Sequence, residues 1–368
     1  MGRTIHIFAS FGNRKKLAAG GGQTSARRLV QLLENLKYNV KVTNRHIPPY
    51  TSDTFFLKVY KFYGYIIDPI IWSFHLLFSN TKNGIALIIG YSGLLFPFYF
   101  LFVLIAKILN YKTIIYIKGG FTEKKYKSFP HWLQMTYKKG LYYSDIALYE
   151  GEEGITISKN TYPKTEAVWI PNYIENNFAP ISYPKKNKDT INLIYFGRIH
   201  PSKNILLVVD IFEQIYVKFH NVYLTIVGSG NDIFESIIAD RIDQSPYNSN
   251  INKMPRQSHQ QLKKILSSQH FFIFPSLEEQ EGHSNSLNEA MSFGLVPIVS
   301  DTNFLPSIVG TNRLVAQDMS VETYSNIIID VIENGDFEEL SQKMYERVKQ
   351  NFTQEIVEKR MNNIIDNI

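Results

Sequence analysis

Cysteine is absent from this chain of 368 residues, which excludes disulfide frameworks, thiolate zinc sites and cysteine nucleophiles. A low-complexity tract, a collagen-like period and a heptad repeat are missing too. Clustered histidines and an Asp-x-Asp pair do not occur in the turns that follow the apolar strands, so no metal-ligand set is expected. The opening Met1–Ser10 has a short apolar stretch but no long hydrophobic region ahead of a cleavage site, so it reads as a first strand. A cytoplasmic location is expected from that. The apolar run 94–106 is shorter than the ~20 residues that cross a bilayer, and Pro97 stands near its start, so a buried helix is expected.

What is present points to a folded α/β protein. Hydrophobic residues make up 44% and aromatics 14%, enough for large cores, and the length suits two domains of similar size. The net charge of +6 hides an asymmetry. Residues 1–172 hold 22 Lys and Arg against 9 Asp and Glu, a net of +13, whereas residues 173–368 hold 17 against 24, a net of −7. A basic half suits an anionic surface, either membrane or nucleic acid, and composition does not choose between them.

The first half opens as strand, loop, helix and strand. The loop 10–22 carries Arg14, Lys15 and Lys16 and ends in Gly20-Gly21-Gly22, where backbone can approach a ligand closely, with helical spacing expected from Thr24. The plain alternative is a flexible connection, because the G-x-G-x-x-G spacing is missing. Residues 55–79 are crowded with aromatics and punctuated by Lys58 and Lys61; they read either as core or as a surface that enters the headgroup layer of a membrane. Lys118 ends a β-branched strand and reads as a solvated lysine or a site residue. Lys124, Lys125, Lys127, Lys138 and Lys139 surround Trp132 and Tyr137 and extend the basic, aromatic character, and His131 reads as a surface residue.

The second half holds the chemistry. Strand Ile191–Phe196 leads into Gly197-Arg198-Ile199-His200-Pro201-Ser202-Lys203-Asn204, where two cations five residues apart on a strand-to-helix turn can converge on one diphosphate. Gly228-Ser229-Gly230 forms a further tight turn, but not a dinucleotide fingerprint, because Phe234 stands at the third glycine position. The buried run Phe271–Phe274 leads through Pro275-Ser276 to Glu281-Gly282-His283-Ser284-Asn285-Ser286-Leu287-Asn288-Glu289 and a helix. A helix N-terminus there suits a phosphate, and carboxylates, which only accept hydrogen bonds, suit the paired hydroxyls of sugars. Ser286 with Glu289 also fits the S-x-x-E capping box, which would leave Glu289 without a ligand.

The stretch Glu281–Ala290, with Pro275-Ser276 before it and Gly294–Asp301 after it, resembles the carboxy-terminal signature of glycosyltransferase family 4, a retaining group with the GT-B fold. Gly197–Asn204 is similar to that family's diphosphate-binding turn, and Pro171-Asn172-Tyr173-Ile174 to its inter-domain turn. The likeness is strong from Ile191 to Asp301 and weak before Pro171. It implies two Rossmann-like doubly wound domains facing a cleft: 1–172 for the acceptor, 173–351 for a nucleotide sugar, and 352–368 as a helix crossing back. It further implies catalytic roles for Arg198, Lys203 and Glu281, and donor contacts from Gly21, Gly22, Gly197, Gly228, Ser229, Met254, Arg256, Ser284, Asn285, Ser286, Leu287 and Glu289. Many relatives have a histidine near Lys118, so no catalytic histidine is carried onto this chain.

The expected substrates are a UDP- or GDP-sugar and a glycan acceptor carried on undecaprenyl diphosphate, as in O-antigen or capsule assembly. No cofactor, metal or nucleic acid is expected, and the protein is placed on the inner face of the cytoplasmic membrane. The rival readings are a GT-B epimerase that isomerises a nucleotide sugar without an acceptor, and a non-catalytic protein that binds membrane or nucleic acid.

Overall fold

The computed structural model describes residues 3–13, 21–46, 55–79, 83–91, 96–120, 123–187, 189–278 and 281–368. The chain divides into two units, one of Met1–Pro171 with Glu358–Ile368 and one of Asn172–Val357.

Unit one runs β1 (Thr4–Ala9), α1 (Gly21–Asn35), β2 (Asn39–Asn44), α2 (Phe55–Leu77), β3 (Ile85–Tyr91), α3 (Phe96–Ile108), β4 (Lys112–Lys118), α4 (Glu123–Ser128), α5 (His131–Tyr143), β5 (Ile146–Tyr149), α6 (Glu153–Thr161) and β6 (Glu166–Trp169). Its strands are all parallel, in the order β2-β1-β3-β4-β5-β6. Parallel strands joined by helices are covered on both faces, which is why β4 and β5 read as nearly unbroken apolar runs. Trp72 and Leu76 of α2, Tyr99, Phe102 and Val103 of α3 and Leu133, Tyr137 and Leu141 of α5 share one core with Phe8, Ile88, Ile115 and Ala147. α2, α3 and α5 therefore form one helical layer on the sheet. The helix expected from Thr24 already contains Gly21 and Gly22, so those glycines are not a turn; Arg14, Lys15, Lys16 and Gly20 lie outside the described residues.

Unit two runs β7 (Ile191–Phe196), α7 (Ile205–Phe219), β8 (Val222–Val227), α8 (Asp232–Asp243), β9 (Ile251–Met254), α9 (His259–Ser267), β10 (Phe271–Phe274), α10 (Asn285–Ser292), β11 (Val296–Ser300), α11 (Leu305–Val309), β12 (Val315–Ala316), α12 (Val321–Glu333) and α13 (Phe337–Asn351). The terminal helix α14 (Gln354–Asn367) starts in this unit and ends in the other. The strand order is β12-β11-β10-β7-β8-β9, again parallel throughout. The chain reverses its direction of winding between β7 and β10. A crevice opens outside the carboxyl ends of the two strands at such a reversal, and ligands of open α/β sheets bind there.

Candidate active site

The turns that leave β7 and β10 meet at this reversal. After β7 the chain turns at Gly197, whose φ of 151° side chains rarely adopt, and enters a 3₁₀ turn at Pro201–Lys203 that is capped when the His200 ring accepts from the Ser202 N–H. The Leu277 N–H donates to Ser202 O at 2.8 Å, which fastens the second loop to the first. Behind that bond, Ser276 is fully buried, and its carbonyl accepts from Ser300 Oγ at 2.8 Å and Thr302 Oγ1 at 3.1 Å.

These constraints bring two cations and two acids together. Lys203 Nζ pairs with Glu281 Oε2, lies 2.7 Å from Glu278 Oε2, and sits over the Phe274 ring at 5.3 Å. Its side chain is only 8% exposed. Arg198 Nη2 spans both Glu278 oxygens, at 3.1 and 3.0 Å, and its side chain is 53% exposed. Ser276 Oγ donates to Glu281 Oε2 at 3.1 Å. Burial pushes the Glu278 carboxyl up, but Lys203 and then Arg198 outweigh it and hold it below its ordinary value. Burial, with the Glu281 charge next, pushes the Tyr195 phenol far up, so its hydroxyl stays protonated and donates to Arg198 O at 2.8 Å.

Arg198, Lys203 and Glu281 are thus brought into one cluster, and Glu278 joins them unforeseen. The other donor-side candidates occupy neighbouring turns and hold backbone in place. The Gly197 N–H donates to Val227 O, the Gly228 N–H to Met254 O and the Ile199 N–H to Ser229 O, each at 3.0 Å. Ser229 Oγ accepts from the Arg256 N–H at 3.2 Å, and the Arg256 side chain is exposed. A Cβ on Gly228 would overlap Gly197 O, a backbone atom that cannot swing aside. Gly228→Ala is therefore expected to lower unfolding stability by about 2 kcal/mol in urea titrations. A stability within error of wild type would mean that the two turns can separate freely.

The start of α10 does not take the capping-box alternative. Ser284, not Ser286, is the N-cap, and its hydroxyl accepts from the Leu287 N–H at 3.3 Å. The capping box of Ser286 with Glu289 is therefore not formed, and the Leu287 N–H already has its partner. Asn285 and Ser286 are the first two helical residues, and Glu289 is the fifth, half-buried and beyond the first turn. The bracket behind the loop was not foreseen from residue spacing. Asn172 Nδ2 donates to His283 O at 2.7 Å, Asn288 Nδ2 donates to Asn172 O at 3.0 Å, and His283 Nε2 meets Asn288 Oδ1 at 3.0 Å. The only hint was that these polar residues flank apolar ones in Pro171–Ile174 and Glu281–Glu289.

In unit one, Lys118 is not solvated. It is 2% exposed, donates to Ser25 Oγ at 2.6 Å, lies 3.4 Å from Glu150 Oε1, and sits over the Tyr116 ring at 4.2 Å. Glu150 Oε2 also accepts from the Gly119 N–H at 3.0 Å, so the pair closes the carboxyl ends of β4 and β5. Gly21 and Gly22 belong to this unit, within α1. No group of three or more His, Asp or Glu that could hold a metal ion occurs among the described residues.

Residues 181–351 match the family model described as glycosyl transferases group 1. Over 210 residues the chain is 25% identical to GDP-mannose:cellobiosyl-diphosphopolyprenol alpha-mannosyltransferase of Xanthomonas oryzae pv. oryzae, covering 55% of this chain and 53% of that protein. It is 22% identical over 148 residues to O-antigen chain mannosyltransferase B of Escherichia coli, covering 40% of this chain and 38% of that one. The chain spans about half the length, or less, of these curated relatives. Among solved structures, sucrose-phosphate synthase from Thermosynechococcus elongatus superposes with a TM-score of 0.72 at 15% identity, over 99% of this chain and 98% of the other. Anabaena HepE in complex with UDP superposes with a TM-score of 0.69 at 10% identity, over the whole of both chains. The fold is of the GT-B type, and Arg198, Lys203, Glu278 and Glu281 all lie within the stretch that matches the glycosyl transferases group 1 model.

Proposed function

We propose that the protein is a retaining hexosyltransferase of the family 4 type that moves a sugar from a nucleoside-diphosphate donor to a lipid-linked glycan. The observation that carries this reading is the cluster of Arg198, Lys203, Glu278 and Glu281 at the β7/β10 reversal. Breaking the anomeric C–O bond leaves negative charge on the departing diphosphate. Lys203, a compact point charge, and Arg198, a planar fork, neutralise it without a metal. Glu281 accepts from hydroxyls of the donor sugar and faces the positive charge that develops at the anomeric carbon, while Glu289 accepts from the ribose. With the Leu287 N–H held in the cap, the Ser286 N–H serves as a backbone donor in this role at the start of α10.

The acceptor reading draws on the basic first half of the chain and on the Xanthomonas relative, whose name gives its acceptor as a diphosphopolyprenol-linked sugar. The same name gives its donor as GDP-mannose, whereas HepE holds UDP, so both bases are tried. On this reading the pathway is surface-polysaccharide assembly. The test is a panel of GDP- and UDP-sugars, scored by thermal shift and then by transfer of labelled sugar to polyprenyl-diphosphate glycans with and without chelator. One donor is expected to raise the melting temperature, because only a ligand of the folded state does so, and to label the lipid fraction regardless of chelator. Isomerisation of the donor with no acceptor present, or no stabilisation by any nucleotide sugar, overturns the reading.

A further inference from the structure

The outer face of α2 carries no charge among its described exposed side chains. From Phe62 to Phe78 every exposed residue except His75 is apolar or aromatic: Phe62, Tyr63, Ile66, Ile70, Phe74, Leu77 and Phe78. Phe62 and Phe78 are 65% and 78% exposed. The row recurs at helical spacing over roughly 22 Å, given 1.5 Å per residue. Soluble surfaces rarely leave such a row uncovered. The neighbouring helices of the same layer continue it with Leu101 and Ile108 on α3 and Trp132, Met135 and Tyr142 on α5, all exposed.

Charge chooses the covering partner. The three helices contain five lysines and one acid, Asp68, in sequence. That acid is buried and bonded to His46. At the far end of the row the stacked rings of Phe74 and Phe78 border a cavity of about 340 Å³, also lined by His6, Lys41, His75 and Ser79. None of its described lining residues is acidic. His6 Nε2, at the buried side, has no hydrogen-bond partner among the described residues, and burial, then Lys41 and His75, hold that imidazole at about 4. An apolar row ending in a basic cavity matches acyl chains ending in a phosphate. A second copy of the chain would bring a second basic layer against this one. No helix among the described residues is long and apolar enough to cross a membrane, so the face would lie on the bilayer.

We infer that α2 docks this protein on an anionic bilayer, its apolar row entering the headgroup layer and a lipid phosphate seated in the cavity beside Lys41. This deepens the lipid-linked acceptor reading, but it is measured without donor or acceptor. A chain that transfers sugar yet ignores vesicles overturns the docking alone, and a chain that binds vesicles yet transfers nothing overturns the transferase alone.

The full chain is sedimented with phosphatidylcholine vesicles, with or without phosphatidylglycerol. Binding is expected only with the anionic lipid and should persist in excess inorganic phosphate. The combined Phe62→Gln, Ile66→Gln and Ile70→Gln variant, which alters exposed positions, and Lys41→Glu should each lower partitioning at least about tenfold. Their melting temperatures should be unchanged. Phe74→Trp, which keeps the aromatic, should be quenched by brominated lipid. Equal binding to neutral vesicles, undiminished binding by the variants or no quenching overturns the inference. So does a row variant that turns a dimer into a monomer while vesicle binding stays the same, since a second copy would then cover the face.

Discussion

Lys203→Met is expected to lower kcat/KM for sugar transfer by about three orders of magnitude and to cost the fold about 3 kcal/mol in the same protein. Both effects come from one atom. Lys203 Nζ is the cation shared by Glu278 and Glu281, and its side chain is 8% exposed, so water cannot replace it well. Methionine keeps the volume and can still lie over Phe274, which makes the loss electrostatic rather than a cavity. Among the described residues, two carboxylates then meet with Arg198 alone to oppose them, and Arg198 bonds to Glu278 and not to Glu281. On the catalytic side, the departing diphosphate loses the less exposed of its two proposed cations. Kinetics below the variant's melting temperature, together with urea titration, separate the two effects. A kcat/KM within about tenfold of wild type would remove Lys203 from the proposed chemistry, even if stability fell as expected.

The strands of unit two were legible because parallel strands, buried on both faces, appear as continuous apolar runs; Phe271–Phe274 is β10 itself. The meeting of the β7 and β10 turns was legible only once a doubly wound order was assumed. Sequence spacing cannot tell which of the acids at 278, 279 and 281 faces Lys203. That depends on the path after Pro275, which is pinned by the buried Ser276 and its bonds to Ser300 and Thr302. The α10 cap shows the same limit at shorter range. Ser284 and Ser286 are both acceptable caps by composition, and S-x-x-E favours the wrong one, because the backbone turns into the helix two residues sooner. Lys118 looked solvated because its partners, Ser25 and Glu150, lie 93 and 32 residues away. A lysine without them would not be buried.

Glu281→Gln should cut kcat by about two orders of magnitude with a smaller change in the donor KM. Glutamine is nearly isosteric and can still accept from Ser276 Oγ, as Glu281 does at 3.1 Å, so the loop after β10 keeps its anchor. What it loses is the negative charge, which would act on the donor sugar as positive charge develops at its anomeric carbon. A rival explanation is that Glu281 only positions Lys203, and the double variant separates the two. Relative to Lys203→Met alone, adding Glu281→Gln removes a buried carboxylate that has lost its cation, so stability should rise again by about 1–2 kcal/mol. If Glu281 acts on the sugar, activity should fall further in the double variant while stability recovers. If it serves only to hold Lys203, the double variant should be no slower than Lys203→Met, and Glu281 would have no part in the reaction beyond its ion pair.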